Sequence, residues 1–325
     1  MIVVYFFLLI VGFVALVKGA DWFVEGSSDL ARIFHIPGVI IGLTIVALGT
    51  SAPELAVSTV AAISGSNEIA LSNVVGSNIF NLLCVLGVCA LIHPLPVASE
   101  INKRDFPISI IITIFVMFGS CFSAFPSAIV QTSNMGGIVG NVSRMLSIAL
   151  IVLFIGYISV LIINAKKHPK SEDAPANKSL WKSIMLILVG ITLIVAGGQF
   201  VVTSAKEIAR AFGMSETLIG LTIVAVGTSL PELVTSIVAA KKGETGMAVG
   251  NVIGSNIFNL LFILGISSTI HPILVNRASL WDMMILIIVS VITYIFGLTK
   301  KQISRIEGSF MLLMYAVDVV FAIVR

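Results

Sequence analysis

Charged residues are scarce in this chain of 325 residues: only 11% are Asp, Glu, Lys or Arg, whereas 58% are hydrophobic. Soluble globular domains are about a quarter charged, so this composition excludes an ordinary soluble fold. The charges also cluster and leave long apolar runs between them, and ~20 apolar residues suffice for a helix to cross a bilayer. The apolar–polar alternation of a membrane β-barrel is absent. The sequence therefore predicts an all-α polytopic membrane protein.

Cysteine and histidine are also scarce: the chain has three cysteines and four histidines. Cys84, Cys89 and Cys121 lie in apolar segments without the spacing of a metal site. The net charge of +3 lies mostly in loops, so it is not a nucleic-acid footprint. No buried base is placed to activate a serine nucleophile. We therefore expect no enzyme activity, no cofactor, no nucleic-acid partner and no protein partner.

Apolar runs and helix breakers divide the chain into ten predicted spans. The first span resembles a signal peptide in position, but it lacks a basic N-terminal region and a clear cleavage site. The ten spans are 1–18, 37–64, 69–92, 106–125, 143–165, 180–205, 215–241, 246–270, 279–298 and 307–324.

A shift of 178 residues superimposes the second half of the sequence on the first. Between 42–94 and 220–272, 33 of 53 positions are identical without a gap. This predicts two homologous five-helix repeats, 1–165 and 180–325, joined by a cytoplasmic linker, 166–179. An odd number of spans inverts the second repeat relative to the first, as in many transporters.

The loop charges indicate an orientation in the membrane. The loops after the first, third, fifth, seventh and ninth spans, with their flanking residues, hold 14 of the 19 Lys and Arg residues. Cytoplasmic loops carry the excess of basic residues. Both termini are therefore predicted to be extracytoplasmic.

Two stretches place polar residues inside apolar spans: GTSAPEL at 49–55 and GTSLPEL at 227–233. Glycine and proline predict that helices 2 and 7 are broken there, and a break in lipid is tolerated only where it lines a protein-enclosed cavity. Glu54 and Glu232 follow each break. No Lys or Arg in the apolar body of a span can neutralise these acids, so the missing positive charge is most simply a transported cation.

The spans that follow add further oxygen atoms. Asn81 lies about as deep as Glu54, given ~1.5 Å of helix rise per residue, and Ser77 lies one turn away on the same face. Ser255 and Asn259 repeat this arrangement in the second half. An all-oxygen shell suits Ca²⁺ or Na⁺ better than soft metals. Two ions that compete for one shell would be coupled, although a channel with such a shell is not excluded by sequence.

The paired motifs resemble those of the cation/Ca²⁺ exchanger superfamily. GTSAPEL with SNVVGSNIFN, and GTSLPEL with GNVIGSNIFN, are most similar to the Na⁺/Ca²⁺ exchangers and their prokaryotic exchanger-like branch. The proton-coupled branch typically has Asn-Ala before the acid instead of Thr-Ser. The resemblance implies a Na⁺/Ca²⁺ antiporter that works by alternating access in a cell (inner) membrane, with H⁺/Ca²⁺ or K⁺-dependent Na⁺/Ca²⁺ exchange as alternatives.

The resemblance also implies a set of metal ligands. Glu54 and Glu232 would serve both ions, Asn81 and Asn259 would line the central site, and hydroxyls and carbonyls would complete flanking sites. These further positions are Ala47, Thr50, Ser51, Ser77, Ala225, Thr228, Ser229 and Ser255. Several relatives carry Asp where this chain has Asn259, and the amide argues against K⁺ co-transport.

Overall fold

The computed structural model describes residues 2–65, 67–122, 135–167, 179–214 and 225–324, and they form long helices with four short strands. The helices of the first half are α1 (Ile2–Ile33), α2 (Gly38–Thr50), α3 (Ala52–Ile63), α4 (Asn67–Phe80, continued by Asn81–Val85 and Leu86–Ile92), α5 (Ile101–Asp105, continued by Phe106–Cys121) and α6 (Arg144–Lys167). Those of the second half are α7 (Leu180–Ala211), α8 (Ala225–Gly227), α9 (Leu230–Lys241), α10 (Thr245–Phe258, continued by Asn259–Ile263 and Leu264–Ile270), α11 (Arg277–Leu298) and α12 (Arg305–Val324).

Four of these helices contain one turn of π-helix. The π turns are Gly42–Val46 in α2, Asn81–Val85 in α4, Ile101–Asp105 in α5 and Asn259–Ile263 in α10. Single π turns inside α-helices often lie at functional sites, because the extra residue changes the direction of nearby side chains. Two of the four begin at the asparagines that the sequence predicts as ion ligands.

Short antiparallel strands connect helix ends. Strand β1 (Leu95–Pro96) pairs with β4 (Gln302–Ile303), and β2 (Ile138–Val142) pairs with β3 (Ile273–Asn276) with an irregularity between Ile138 and Gly140. Each pair joins a segment of the first half to one of the second.

Within the described residues, eight helices are long and apolar enough to cross a membrane, and the bent pair α2–α3 makes a ninth. This is a multi-pass helical membrane protein. The remaining predicted span, 215–241, lies partly outside the described residues, and its described part comprises α8 and α9. The predicted linker, 166–179, also lies mostly outside them.

The helices of the first and sixth predicted spans extend beyond those spans. Helix α1 continues to Ile33 and α7 to Ala211, not to 18 and 205. Asp29, in the part of α1 beyond the predicted span, is buried at 4% exposure. This part of α1 is therefore packed against protein.

Helices α1 and α7 pack closely through glycines. A Cβ atom added at Gly12 would lie 2.9 Å from the carbonyl oxygen of Gly197, and one at Gly19 would lie 2.8 Å from that of Gly190. Small residues at a helix interface allow this close backbone approach in membranes. The pair therefore forms one tightly packed unit.

Helix α10 is the most enclosed of the spans: 89% of its apolar window is buried, compared with 11% for α12. The corresponding value for α4, its mate in the repeat, is 72%. Both helices contact the broken segments α2–α3 and α8–α9. The polar side chains in the enclosed middle of α4 and α10 are buried in protein: Ser77, Asn78, Asn81, Ser255, Asn256 and Asn259.

Candidate ion-binding site

Each GTSxPEL stretch lies where a helix is interrupted. Helix α2 ends at Thr50, and α3 begins at Ala52 with its axis bent by 48°. In the second copy, α8 ends at Gly227 and α9 begins at Leu230. The predicted break in helix 2 is confirmed, and the described part of helix 7 is interrupted at the matching letters.

The acids occupy the first turn after each break. Glu54 lies in the first turn of α3 and Glu232 in that of α9, directly after Pro53 and Pro231. Proline is favoured in a first turn because its missing N–H would have no partner there. The positive end of the helix dipole favours a carboxylate at the same place. Both carboxyl groups are fully buried.

Each glutamate accepts a hydrogen bond from a serine of the other half. The Ser51 hydroxyl donates to Glu232 Oε1 at 2.8 Å, and the Ser229 hydroxyl donates to Glu54 Oε1 at 3.0 Å. Ser77 Oγ lies 3.0 Å from Ser229 Oγ and 3.5 Å from Glu54 Oε1. The two carboxyl groups are also close enough to interact electrostatically. The site is thus a single unit that both halves build together.

Within the part of the chain that the structure describes, four buried oxygen atoms of this unit have no hydrogen-bond partner. They are Oε2 of Glu54, Oε2 of Glu232, Oδ1 of Asn81 and Oδ1 of Asn259. A buried polar atom without a partner costs roughly 1–3 kcal/mol, and more if it is charged. All four are oxygen atoms that can accept a hydrogen bond or coordinate a cation.

A second pair of reciprocal contacts joins threonines to asparagines. Thr50 Oγ1 lies 3.0 Å from Asn251 Oδ1, and Thr228 Oγ1 lies 3.4 Å from Asn73 Oδ1. The amide of Asn73 donates to Ser58 Oγ at 2.9 Å. The amide of Asn251 donates to Ser236 Oγ at 3.0 Å. Asn73 and Asn251 therefore form hydrogen bonds between packed helices.

Four asparagines on α4 and α10 are hydrogen-bonded to one another, and two of them, Asn81 and Asn259, belong to the site. Asn81 Nδ2 donates to Asn256 Oδ1 at 3.2 Å, and Asn259 Nδ2 donates to Asn78 Oδ1 at 3.0 Å. Asn78 Nδ2 donates to the backbone oxygen of Asn256 at 3.1 Å, and Asn256 Nδ2 donates to that of Asn78 at 3.2 Å. We call these four residues the asparagine clasp.

The structure thus brings most of the predicted site residues to one place. Thr228 is half-buried, and the short helix α8 begins at Ala225. Ser255 Oγ lies 3.5 Å from the carbonyl oxygen of Ala47. The fully or almost fully buried members are Ala47, Thr50, Ser51, Glu54, Ser77, Asn81, Ser229, Glu232, Ser255 and Asn259.

The sequence interpretation missed four polar residues that support the site: Asn78, Asn256, Ser58 and Ser236. The signal was present, because all four are polar residues in apolar spans and each is identical to its mate 178 positions away. What the sequence did not reveal is which atoms they contact.

The chemistry of this unit is that of hard oxygen ligands. The described residues contain no cluster of three or more His, Cys, Asp or Glu side chains, so the site has two carboxylates only. Among the described residues, the ion pairs include Arg32–Glu244, Arg104–Asp105, Arg210–Glu207 and Lys242–Asp21. Neither site glutamate takes part in them.

Comparison with known proteins gives consistent matches. The family model described as sodium/calcium exchanger protein matches residues 4–163 and 182–324. The putative antiporter CaxA of Alkalimonas amylolytica is 38% identical over 320 residues, covering 94% of this chain and 95% of CaxA. The sodium/calcium exchanger MaX1 of Methanosarcina acetivorans is 34% identical, with 97% of each chain covered.

A solved structure extends the similarity to three dimensions. The structure of the sodium-calcium exchanger NCX_Mj soaked with Na⁺ and Sr²⁺ superimposes with a TM-score of 0.82 at 32% identity. The match covers 98% of this chain and 99% of that protein. The similarity is therefore one of whole chains.

Proposed function

This chain belongs to the sodium/calcium exchanger family, and from that premise we propose that it is a Na⁺/Ca²⁺ antiporter which moves Ca²⁺ across the membrane by alternating access. Ca²⁺ and Na⁺ are its substrates, and it works in the cell (inner) membrane. The proposal is supported above all by one observation: two buried carboxylates and two amides each keep an oxygen atom without a partner among the described residues.

The charge of the site supports a cation as cargo. A carboxylate buried without a counter-charge is costly, and here two of them share one enclosed space. No cationic side chain pairs with either acid within the described residues. One Ca²⁺ would neutralise both charges, and Na⁺ accepts the same hard oxygen ligands. Because both ions need the same carboxylates, occupation by one excludes the other, which couples the two fluxes.

We assign the ligands as the sequence predicted them. Glu54 and Glu232 are shared by Ca²⁺ and Na⁺, and Asn81 and Asn259 line the central site. The flanking Na⁺ sites use hydroxyl oxygens and the carbonyls freed by the broken helices. The supporting positions are Ala47, Thr50, Ser51, Ser77, Ala225, Thr228, Ser229 and Ser255.

We further propose ten spans in two inverted repeats, 1–165 and 180–325, joined by the cytoplasmic linker 166–179. The contacts at the site support this arrangement. Ser51–Glu232 and Ser229–Glu54 exchange places under the 178-residue shift, as do the two threonine–asparagine pairs. Reciprocal contacts of this kind are what a twofold relation between two units produces. The excess of Lys and Arg in alternate loops supports extracytoplasmic termini.

Two alternatives concern the coupling ion. A carboxylate can carry protons, so H⁺/Ca²⁺ exchange would use the same acids. K⁺-dependent exchange would fit a third carboxylate in the cage, but position 259 carries an amide. The Thr-Ser pair before each acid favours Na⁺ coupling, because the proton-coupled branch typically has Asn-Ala there. The two serine hydroxyls of these pairs donate to the carboxylates of the opposite half.

Reconstituted flux tests this proposal. Proteoliposomes loaded with Na⁺ and diluted into Na⁺-free medium with radioactive Ca²⁺ should accumulate Ca²⁺ without K⁺, and uptake should saturate. A Na⁺ ionophore should abolish it. The Glu54→Gln variant serves as the inactive control. Uptake driven only by a pH gradient would favour H⁺/Ca²⁺ exchange, a requirement for K⁺ would favour the K⁺-dependent alternative, and flux without a counter-ion would indicate a channel.

A further inference from the structure

The asparagine clasp determines which way the amides of Asn81 and Asn259 point. The argument starts from the backbone oxygen of Asn78, which can only accept a hydrogen bond. The side chain that contacts it is Asn256, through Nδ2 at 3.2 Å. Since Nδ2 of Asn256 is directed there, its Oδ1 faces the other way and accepts from Asn81 Nδ2 at 3.2 Å. Asn81 is then left with Oδ1 free.

The corresponding series of hydrogen bonds in the other half fixes Asn259 in the same way. The backbone oxygen of Asn256 accepts from Asn78 Nδ2 at 3.1 Å. Asn78 Oδ1 therefore faces Asn259 and accepts from its Nδ2 at 3.0 Å. Asn259 is left with Oδ1 free. Amide orientation is ordinarily ambiguous because O and N have nearly the same shape. Here each orientation is fixed by a backbone carbonyl, which has no donor alternative.

Resting on the function proposed above, we propose that Asn78 and Asn256 are positioning residues for ion binding. Asn256 holds the amide of Asn81, and Asn78 holds the amide of Asn259, so that both site asparagines present oxygen rather than NH₂ to the cation.

Because the four asparagines are buried, the orientation of the site amides depends on their protein partners. The exposed fractions of Asn78, Asn81, Asn256 and Asn259 are 1% or less, so bulk water does not compete for their hydrogen bonds. An amide that turned its NH₂ toward a cation would remove one ligand and add a repulsive dipole. Partners that orient metal ligands in this way typically change metal affinity by 10–100-fold when they are mutated.

Crossed double-mutant cycles test the proposal in full-length protein. The single variants are Asn256→Leu, Asn78→Leu, Asn81→Ala and Asn259→Ala, combined in pairs. Leu has the same number and branching of side-chain heavy atoms as Asn, and it neither donates nor accepts hydrogen bonds, although it is larger. The substitutions leave the backbone oxygens in place, so each chain of hydrogen bonds can be broken alone. The measurements are the Ca²⁺ concentration for half-maximal Na⁺-driven uptake, and direct Ca²⁺ binding to the purified protein.

We expect Asn256→Leu and Asn78→Leu each to raise the half-saturating Ca²⁺ concentration about tenfold. In the Asn81→Ala background, Asn256→Leu should have no further effect, whereas Asn78→Leu should keep its full effect. The Asn259→Ala background should give the opposite pattern. Effects that add equally in both backgrounds would overturn the proposal, because a general packing role has no crossed specificity.

Two further variants separate orientation from stability. Asn102→Leu removes a comparable buried bond, from Asn102 Nδ2 to the carbonyl oxygen of Gly297 at 2.8 Å, and is the matched control. It should lower the melting temperature without changing Ca²⁺ affinity. Asn256→Asp keeps the acceptor for Asn81, so its half-saturating concentration should stay within about threefold of wild type. A tenfold increase would contradict the proposal even if the Leu variants do not fold.

The failure of this inference and that of the proposed function are distinguishable. If the wild-type protein neither binds Ca²⁺ nor transports it under a Na⁺ gradient, the proposed function is wrong and this inference with it. If the wild-type protein binds Ca²⁺ and the cycles are additive, only the clasp is wrong.

Discussion

The two halves of this molecule agree closely at the centre and differ at their ends. At the centre, Glu54 and Glu232 each accept a hydrogen bond from the serine of the opposite half, at 3.0 and 2.8 Å. At one end, Lys242 forms a 2.7 Å ion pair with Asp21. The mates of these two residues are Ser64 and Gln199, which carry no charge.

The difference shows where pairing constrains the sequence. If the proposed ion lies between the halves, it takes ligands from each, which would explain why the residues and their contacts repeat there. The turn after α9 and the turn after α3 meet different surroundings, and their sequences diverge. Ser28 Oγ and Arg32 Nη2 both contact Glu244 Oε1, at 2.5 and 3.2 Å, whereas the mate of Glu244 is Ser66. The centre is thus symmetric in its chemistry and the ends are not.

The largest expected effect comes from removing either charge at the centre. Glu54→Gln and Glu232→Gln should each reduce Na⁺-driven Ca²⁺ uptake at least ~100-fold, because one carboxylate cannot neutralise Ca²⁺ in a buried site. Both variants should melt at or above the wild-type temperature in ion-free buffer, since the repulsion between the acids is gone.

Thermal unfolding and flux measured side by side check this prediction. Ca²⁺ at 100 times its Kd should stabilise the wild type by about 2.7 kcal/mol and leave both variants unchanged. If one variant retained transport, that glutamate would lie outside the site and the two halves would not be equivalent.

The next effect comes from the serines that cross between the halves. Ser51→Ala and Ser229→Ala should each raise the half-saturating Ca²⁺ concentration about tenfold, because a hydrogen bond to a charged group contributes ~1.5–3 kcal/mol. Ca²⁺ titration of uptake measures this. Ser159→Ala, which removes a hydroxyl bonded to the carbonyl oxygen of Ile155 on the exposed surface of α6, is the matched control and should have no effect. A large difference between Ser51→Ala and Ser229→Ala would show that the halves contribute unequally.

Adding a third carboxylate, instead of removing one, also tests whether the two halves are equivalent. Asn259→Asp adds a negative charge at the central site and should tighten cation binding or make transport sensitive to K⁺. Asn81→Asp should act in the same way if the halves are equivalent. Uptake measured with Na⁺ alone and with added K⁺ distinguishes these outcomes. Unchanged ion dependence in both variants would mean that these side chains do not face the ions.

The smallest effect is expected at the asymmetric end. Asp21 and Lys242 are 37% and 33% exposed, and pairs of this kind contribute less than about 1 kcal/mol. Asp21→Asn and Lys242→Gln should therefore change the melting temperature slightly and equally, and the double variant should add nothing. Thermal unfolding at low and high salt measures this. Loss of transport in either variant would mean that the pair has a role in the transport cycle.

Much of the candidate site could be predicted from the amino-acid sequence alone. Pro53 and Glu54 inside an apolar run already require a break and a counter-charge, and the repeat places Pro231 and Glu232 in the same situation. The helix ends are harder to predict. Asp29 follows the first apolar run, where an acid would be expected to contact water, but it is buried at 4% exposure. A single sequence does not show which parts of the protein cover it.

The sequence by itself determined the membrane class, the duplication and the two interrupted helices, because these follow from hydropathy, from a constant 178-residue shift and from backbone sterics. Only the tertiary structure decided that Ser51 contacts Glu232 rather than Glu54, and that Asn81 donates a hydrogen bond to Asn256. Periodicity fixes the face of a helix on which a side chain lies, but the partner across a helix interface is set by packing. The direction of an amide depends in turn on that partner.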